Sequence, residues 1–151
     1  MKIAAYYDRA VALAAGRIPE AAALLLVRIA LAGVFWRSGR TKVAEGGLLQ
    51  IDPAQYDLFA SEFSGLPLDP VIAVPLTTYA EHLFPILLLL GLATRLSAGA
   101  LLVMTLVIQI FVFPDAWWPV HSLWAALAAI LIVRGGGLFS LDAIIARLRR
   151  R

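Results

Sequence analysis

The chain has 151 residues, 62% of them hydrophobic and 15% charged, with a mean hydropathy of +0.86 and a formal net charge of +3. A soluble domain is about 45–50% apolar and about 25% charged, so one small water-soluble core is excluded and the excess apolar surface needs a bilayer. With no cysteine, disulfides, thiolate metal sites and dithiol redox chemistry by this chain are excluded. The two methionines, Met1 and Met104, are too few for a soft-metal conduit. Most basic residues sit in short flanks and a tail, which suits anionic headgroups better than nucleic acid.

In chain order, residues 3–13 read as a weak interfacial helix. Asp8 and Arg9 break any hydrophobic region that a cleavable signal would need. A first span is predicted over about 20–37, opened by Pro19 and interrupted by Arg28. The acidic outer segment Glu45–Asp69 follows. Within it Asp52, Pro53 and Gln55 mark the start of a short amphipathic helix over about 52–63, with Tyr56, Phe59, Ala60 and Phe63 on its apolar face. A second span, about 70–93, carries Glu81 and His82, and Pro75 and Pro85 should bend it. The third, about 96–113, carries Gln109 near its far end. The fourth, about 117–133, opens near Pro119 and contains His121. Residues 140–151 read as an interfacial helix with Ser140 as N-cap, a stripe of Leu141, Ile144, Ile145 and Leu148, and arginines at its C-terminal end. The predicted architecture is all-α: a single integral membrane domain built as a four-helix transmembrane bundle with interfacial helices.

The distribution of lysine and arginine predicts orientation. With both termini inside, the inner side holds Lys2, Arg9, Arg17, Arg95, Arg134, Arg147, Arg149, Arg150 and Arg151. The outer side holds Arg37, Arg40 and Lys42, offset by Glu45, Asp52, Asp57, Glu62, Asp69 and Asp115. A multi-pass protein of a bacterial inner membrane, with both termini cytoplasmic, is the expectation.

Ionisable groups inside a bilayer are costly and turn toward the bundle interior. Counted from the cytoplasmic ends of the spans, Arg28 lies ~10 Å deep, Glu81 ~18 Å, Gln109 ~20 Å and His121 ~18 Å. Arg28 can reach ~6–7 Å further along its stem. The count therefore predicts one buried polar layer with an Arg28–Glu81 pair at its centre, either fixing helix register or contacting a ligand. His82 points about 100° away from Glu81 and is expected to hydrogen-bond a neighbouring span. Ser38 and Trp124 support the layer. For His121 a solvated headgroup contact is the preferred reading over a ligand contact. Trp36, Trp117 and Trp118 are read as an interfacial belt ahead of a stacking role. Arg37, Arg40 and Lys42 are either anchors or a site for a polar ligand head. Haem held between His82 and His121 is disfavoured. The sequence shows no phosphate loop, no metal-binding cluster and no nucleophile with an adjacent base.

The run FWRSGRTKV (Phe35–Val43) after Arg28 resembles the first-span pattern of the DoxX family, an arginine followed by a Ser-Gly-x-x-Lys-type ending at Ser38, Gly39 and Lys42. The run AEHLFPILLLLGLATRLSA (Ala80–Ala98) resembles the family's glutamate, leucine-rich half-helix and Gly-Leu-x-Thr-Arg turn. The segment Phe113–Asp142 is similar to a proteobacterial subset with a Pro-Asp-x-Trp outer loop. The resemblance covers about residues 20–142; the long acidic segment Glu45–Asp69 departs from minimal members. It implies a four-helix membrane protein whose relatives include a subunit of thiosulfate:quinone oxidoreductase and a membrane partner of thiol and superoxide detoxification enzymes. Carried over by residue, Gly91, Thr94 and Arg95 shape the cytoplasmic turn, and Arg28, Glu81 and Lys42 are candidates for ligand contact.

The leading functional expectation is a membrane-embedded subunit of a redox system that holds a quinone or similar lipophilic carrier, with Arg28, Glu81, Gln109, His121 and Lys42 as binding candidates. Catalysis would then need a protein partner. Two rivals remain. One is a non-catalytic scaffold, with a role in a metal- or oxidative-stress system as one version of it, docking a partner at Glu45–Asp69 and Trp117–Trp118. The other is a small transporter, against which the scarcity of polar residues and of a matching inverted half counts. Ala125, Ala126, Ala128 and Ala129 permit a homodimer without requiring one.

Overall fold

The computed structural model describes residues 2–151, except for the side chains of residues 2, 3 and 10, so the Lys2 charge counted above lies outside the described residues. Its helices are α1 (Lys2–Ala14), α2 (Arg17–Arg40), α3 (Ala54–Ser61), α4 (Pro70–Leu90), α5 (Thr94–Phe111), α6 (Ser122–Arg134) and α7 (Leu141–Leu148). A 3-10 turn (Pro114–Ala116) and a π turn (Trp117–His121) lead into α6. Among the described residues the only β pairing is an isolated bridge between Val43 and Ile51. Four segments are long and apolar enough to cross a membrane: α2, α4, α5 and Pro114–Arg134. Leu26, Leu83, Val103 and Val133 each stand more than half exposed on these segments, which only a hydrocarbon solvent tolerates at such density. The chain is an all-α bundle of the bilayer.

Helix ends follow local chemistry where the partner is local. Asp69 accepts from Val71 N at 2.8 Å and Pro70 opens α4. Gly91, at φ 66°, closes α4 in the left-handed region that glycine adopts without a Cβ penalty. This ends the helix before the predicted residue 93. Ser140 accepts from Ala143 N at 3.2 Å, as its N-cap role requires. The stripe Leu141, Ile144, Ile145 and Leu148 remains exposed, as a helix lying on a lipid surface requires. Pro19 is the third residue of α2 rather than its first, still within the turn whose N–H groups need no intrahelical partner. α5 begins earlier than predicted because the Asp142 carboxylate accepts from Ala93 N (2.8 Å) and Thr94 N (2.9 Å) across 48 residues or more of chain. The fourth span begins as a π turn containing Pro119 and becomes regular only at Ser122.

The core joins Leu31 and Phe35 of α2, Leu88 of α4, Leu101 of α5, and Ala128 and Leu131 of α6. Two glycines set the antiparallel register of α2 on α4. A Cβ on Gly39 would lie 2.9 Å from His82 Cε1 and 3.1 Å from Glu81 Cβ, so only glycine lets the helices approach there. One on Gly91 would overlap the Arg28 guanidinium and Ser140. Arg28 is therefore level with the Gly91 turn, and the α2 residues 17–27 continue ~16 Å beyond it, where Ala21 and Leu24 pack against Gly137. α3 covers the opposite end. Asp52 accepts from Ala54 N at 2.9 Å, and Phe59 is buried with Ala73 and Val74, flanked by Tyr56 and Phe63. Ala60, assigned to the same face, is exposed, because the packed face is narrower than the sequence pattern.

Candidate functional site

A cavity of 590 Å³ lies between α2, α4, α5 and α6 at the end covered by α3. Its walls are largely aliphatic and aromatic. Phe59 and Phe63 of α3 and Phe113 after α5 close one end, linked by edge-to-face contacts at 4.7 and 6.0 Å. Exposed Leu76 of α4 and Val103 of α5 also line it, so it opens sideways between those helices toward the hydrocarbon.

Polar groups enter from two sides. On one, Lys42 Nζ donates to Glu81 Oε2 at 2.6 Å and to Ser38 Oγ at 3.1 Å, and Ser38 Oγ donates to Glu81 Oε1 at 3.2 Å. Lys42 reaches inward because α2 ends at Arg40 and the chain reverses through the Val43–Ile51 bridge. Both charges are buried, and each is compensated by the other and by the Ser38 hydroxyl, which is what makes a buried pair tolerable. On the other side, Gln109 Nε2 donates to Pro114 O at 2.5 Å, which turns Gln109 Oε1 toward His121 Nδ1 at 2.8 Å. With Oε1 as acceptor Nδ1 carries the proton, and in that neutral tautomer Nε2 is an acceptor. Trp124 holds that ring from below at 5.0 Å and meets Phe35 edge-on at 5.6 Å.

The predicted Arg28–Glu81 pair does not exist. Arg28, fully buried, donates to Leu88 O (3.3 Å) and Phe139 O (2.5 Å), and the cation on Glu81 is Lys42. The depth count assumes that α2 and α4 share one plane at the Gly91 end, whereas α2 overshoots the Gly91 turn. Arg28 instead faces carbonyls at the C-terminal end of α4, where the helix dipole favours a cation, and ties the segment before α7 to the bundle. The single polar layer is thus two, one at Arg28 and one at the cavity.

Other expectations are corrected in the same way. His82 Nδ1 lies 2.7 Å from Thr78 O of its own helix, and its ring meets Trp36 at 5.1 Å without hydrogen-bonding a neighbouring span. His121 is buried against the cavity, not solvated among headgroups. Of the basic cluster, Arg40 donates to Leu48 O and Gly47 O, Lys42 turns inward, and only Arg37 stays exposed without such contacts. Trp118 is 84% exposed, Trp117 half-buried and Trp36 38% exposed, and none of the three lines the cavity. Sequence reasoning missed the part played by Phe59 and Phe63. Their i, i+4 spacing marked an apolar face but could not say that the face closes a cavity. It also missed Asp142, whose long-range partners leave no local pattern.

The DoxX family model matches residues 23–115, more than half of the chain, from α2 to the turn before α6. No significant match is found among curated proteins or solved structures. The matched stretch contains Arg28, Ser38, Lys42, Glu81 and Gln109, and ends before His121 and Trp124. The chain belongs to the DoxX family.

Proposed function

We propose that this membrane protein holds a lipophilic carrier of the quinone class in the cavity between α2, α4, α5 and α6, as the membrane-embedded subunit of a redox system. The carrying observation is the combination of a 590 Å³ apolar chamber, open toward lipid, with the Lys42–Glu81–Ser38 cluster and His121 in its lining. Volume and lining fall in the range of small-molecule sites, apolar with a few placed polar groups. An amphipathic ring has the matching chemistry. One of its carbonyls takes a hydrogen bond from the Lys42 ammonium, its hydroxyl form donates to Nε2 of His121, and its tail leaves between Leu76 and Val103. When bound, the quinone supplies two-electron carrier chemistry. This chain orients the ring, excludes water and offers Glu81 as a proton-holding group in place of the ammonium–carboxylate pair. Electrons come from a protein partner. The excess of lysine and arginine at the Gly91 end favours placing it, and both termini, in the cytoplasm of a bacterium.

The test is titration of the purified protein with a short-tailed benzoquinone. Saturable binding is expected. Ala100→Phe, which fills the chamber, should abolish it, and Glu81→Gln should weaken it about tenfold or more, the scale of a hydrogen bond to a charged group. Equal binding by wild type and Ala100→Phe removes the assignment.

A further inference from the structure

At the opposite end of the bundle a second, open pocket of 580 Å³ lies where α5 begins, α6 ends and α7 starts. Its lining includes Thr94, Arg95, Arg134, Gly136, Ser140 and Asp142. We propose that it is a binding site for a phosphate group, with the Arg95 guanidinium at its mouth and the Thr94 hydroxyl at its floor.

Thr94 is fully buried, yet its Oγ1 has no hydrogen-bond partner. Ser97 Oγ, one turn further along α5, and Arg28 Nε are buried and partnerless too. Two of these groups adjoin Ser140 at glycines: a Cβ on Gly91 would meet Arg28 and Ser140, and one on Gly136 would meet Ser140 and Thr94. A buried polar group without a partner costs about 1–3 kcal/mol, so the Thr94 hydroxyl, the one such group in the pocket lining among the described residues, calls for an acceptor oxygen there. A Cβ on Gly136 would lie 2.7 Å from Thr94 Oγ1, so only glycine fits beside the hydroxyl.

The charges around the pocket are accounted for on every side except one. Asp142 accepts from Ala93 N and Thr94 N at the start of α5, and Arg134 is paired with Glu20. Arg95 donates through Nη2 to Val133 O at 3.1 Å and has no carboxylate partner among the described residues. Its remaining donors suit phosphate oxygens. The pocket sits at the ends of two spanning segments, the depth of lipid headgroups, beside the first turn of α7. Basic pockets between spans at such a level take anionic headgroups. A lipid phosphate and free phosphate share this chemistry.

The experiment uses the full chain in detergent. Retention of phosphatidylglycerol is compared with that of phosphatidylcholine of the same acyl chains by native mass spectrometry, and inorganic phosphate is titrated in a parallel arm. Variants are Arg95→Gln, Thr94→Val and, as a control at the other end, Arg37→Gln. The expected result is a preference for one phosphate source that falls about fivefold or more in Arg95→Gln and Thr94→Val, the size of one or two charge-assisted hydrogen bonds, and is unchanged in Arg37→Gln. Phosphatidylglycerol selectivity resistant to inorganic phosphate assigns the lipid as source, and displacement by inorganic phosphate assigns the free ion. No selectivity in either arm, or selectivity insensitive to both Arg95→Gln and Thr94→Val, overturns the proposal and leaves water as the occupant. Arg95 is exposed, so Arg95→Gln folds whatever Thr94→Val does.

Discussion

Lys42 Nζ sits 2.6 Å from Glu81 Oε2, joining the exit of α2 to the middle of α4. A lysine placed by sequence among outer anchors is thereby the counter-charge of the most deeply set carboxylate in the bundle. The pair forms part of the cavity wall, so whatever enters the chamber meets a compensated dipole and not a bare charge.

Because Arg28 and Glu81 occupy different layers, their contributions to stability are separable. In double-mutant cycles read by unfolding in detergent, Lys42→Met with Glu81→Gln should show a coupling of about 2 kcal/mol or more, and Arg28→Met with Glu81→Gln no more than about 0.5 kcal/mol. Either single change at Lys42 or Glu81 should cost about 3–5 kcal/mol, because each leaves a buried charge alone.

Gly39 is a contact residue by virtue of having no side chain. Gly39→Ala pushes a methyl toward His82 Cε1 at 2.9 Å and should cost about 1–3 kcal/mol through overpacking. The same substitution in a His82→Ala background should cost clearly less, because the imidazole it strikes is gone. Thermal unfolding of the four proteins in detergent measures this.

Asp142 holds α7 to the first turn of α5 through two backbone N–H groups. Asp142→Ala should destabilise that end by about 1–2 kcal/mol, the scale of a lost cap, and speed tryptic cleavage at Arg147. Asp142→Asn retains one carbonyl oxygen and should fall between.

Gln109 sets the His121 tautomer through Oε1. In Gln109→Leu the ring is free to move its proton, and the benzoquinol form of the carrier should lose about fivefold in affinity, roughly the worth of one neutral hydrogen bond, while the oxidised form changes less. Titration with both redox forms distinguishes this from a general loss of packing.

The four spans, the helix at 54–61 and the helix at 141–148 were legible in the sequence, as were Asp69 and Ser140 as caps and Gly91 as a stop. Each depends on interactions within a few residues or on apolar length against bilayer thickness. Glu81 and Gln109 were also legible as intramembrane polar groups, because intramembrane polarity is costly enough to mark itself, whereas Lys42 read equally as an outer anchor and His121 preferentially as a headgroup contact. The partners of these groups were not legible. Counting 1.5 Å per residue fixes depth only when helix ends share a plane, and α2 runs past the Gly91 turn by several turns. His82 and Glu81 are neighbours in sequence, yet one bonds its own helix and the other a lysine from beyond α2.

What the sequence by itself determined about this protein is its solvent and its segments: hydropathy and capping are local sums, and each residue contributes without knowing its neighbours in space. Only the tertiary structure decided which cation meets Glu81, that Phe59 and Phe63 close a chamber, and that Asp142 caps α5. Those outcomes depend on the stagger and rotation of helices, which Gly39 and Gly91 set by permitting close approach, and no single segment carries that information.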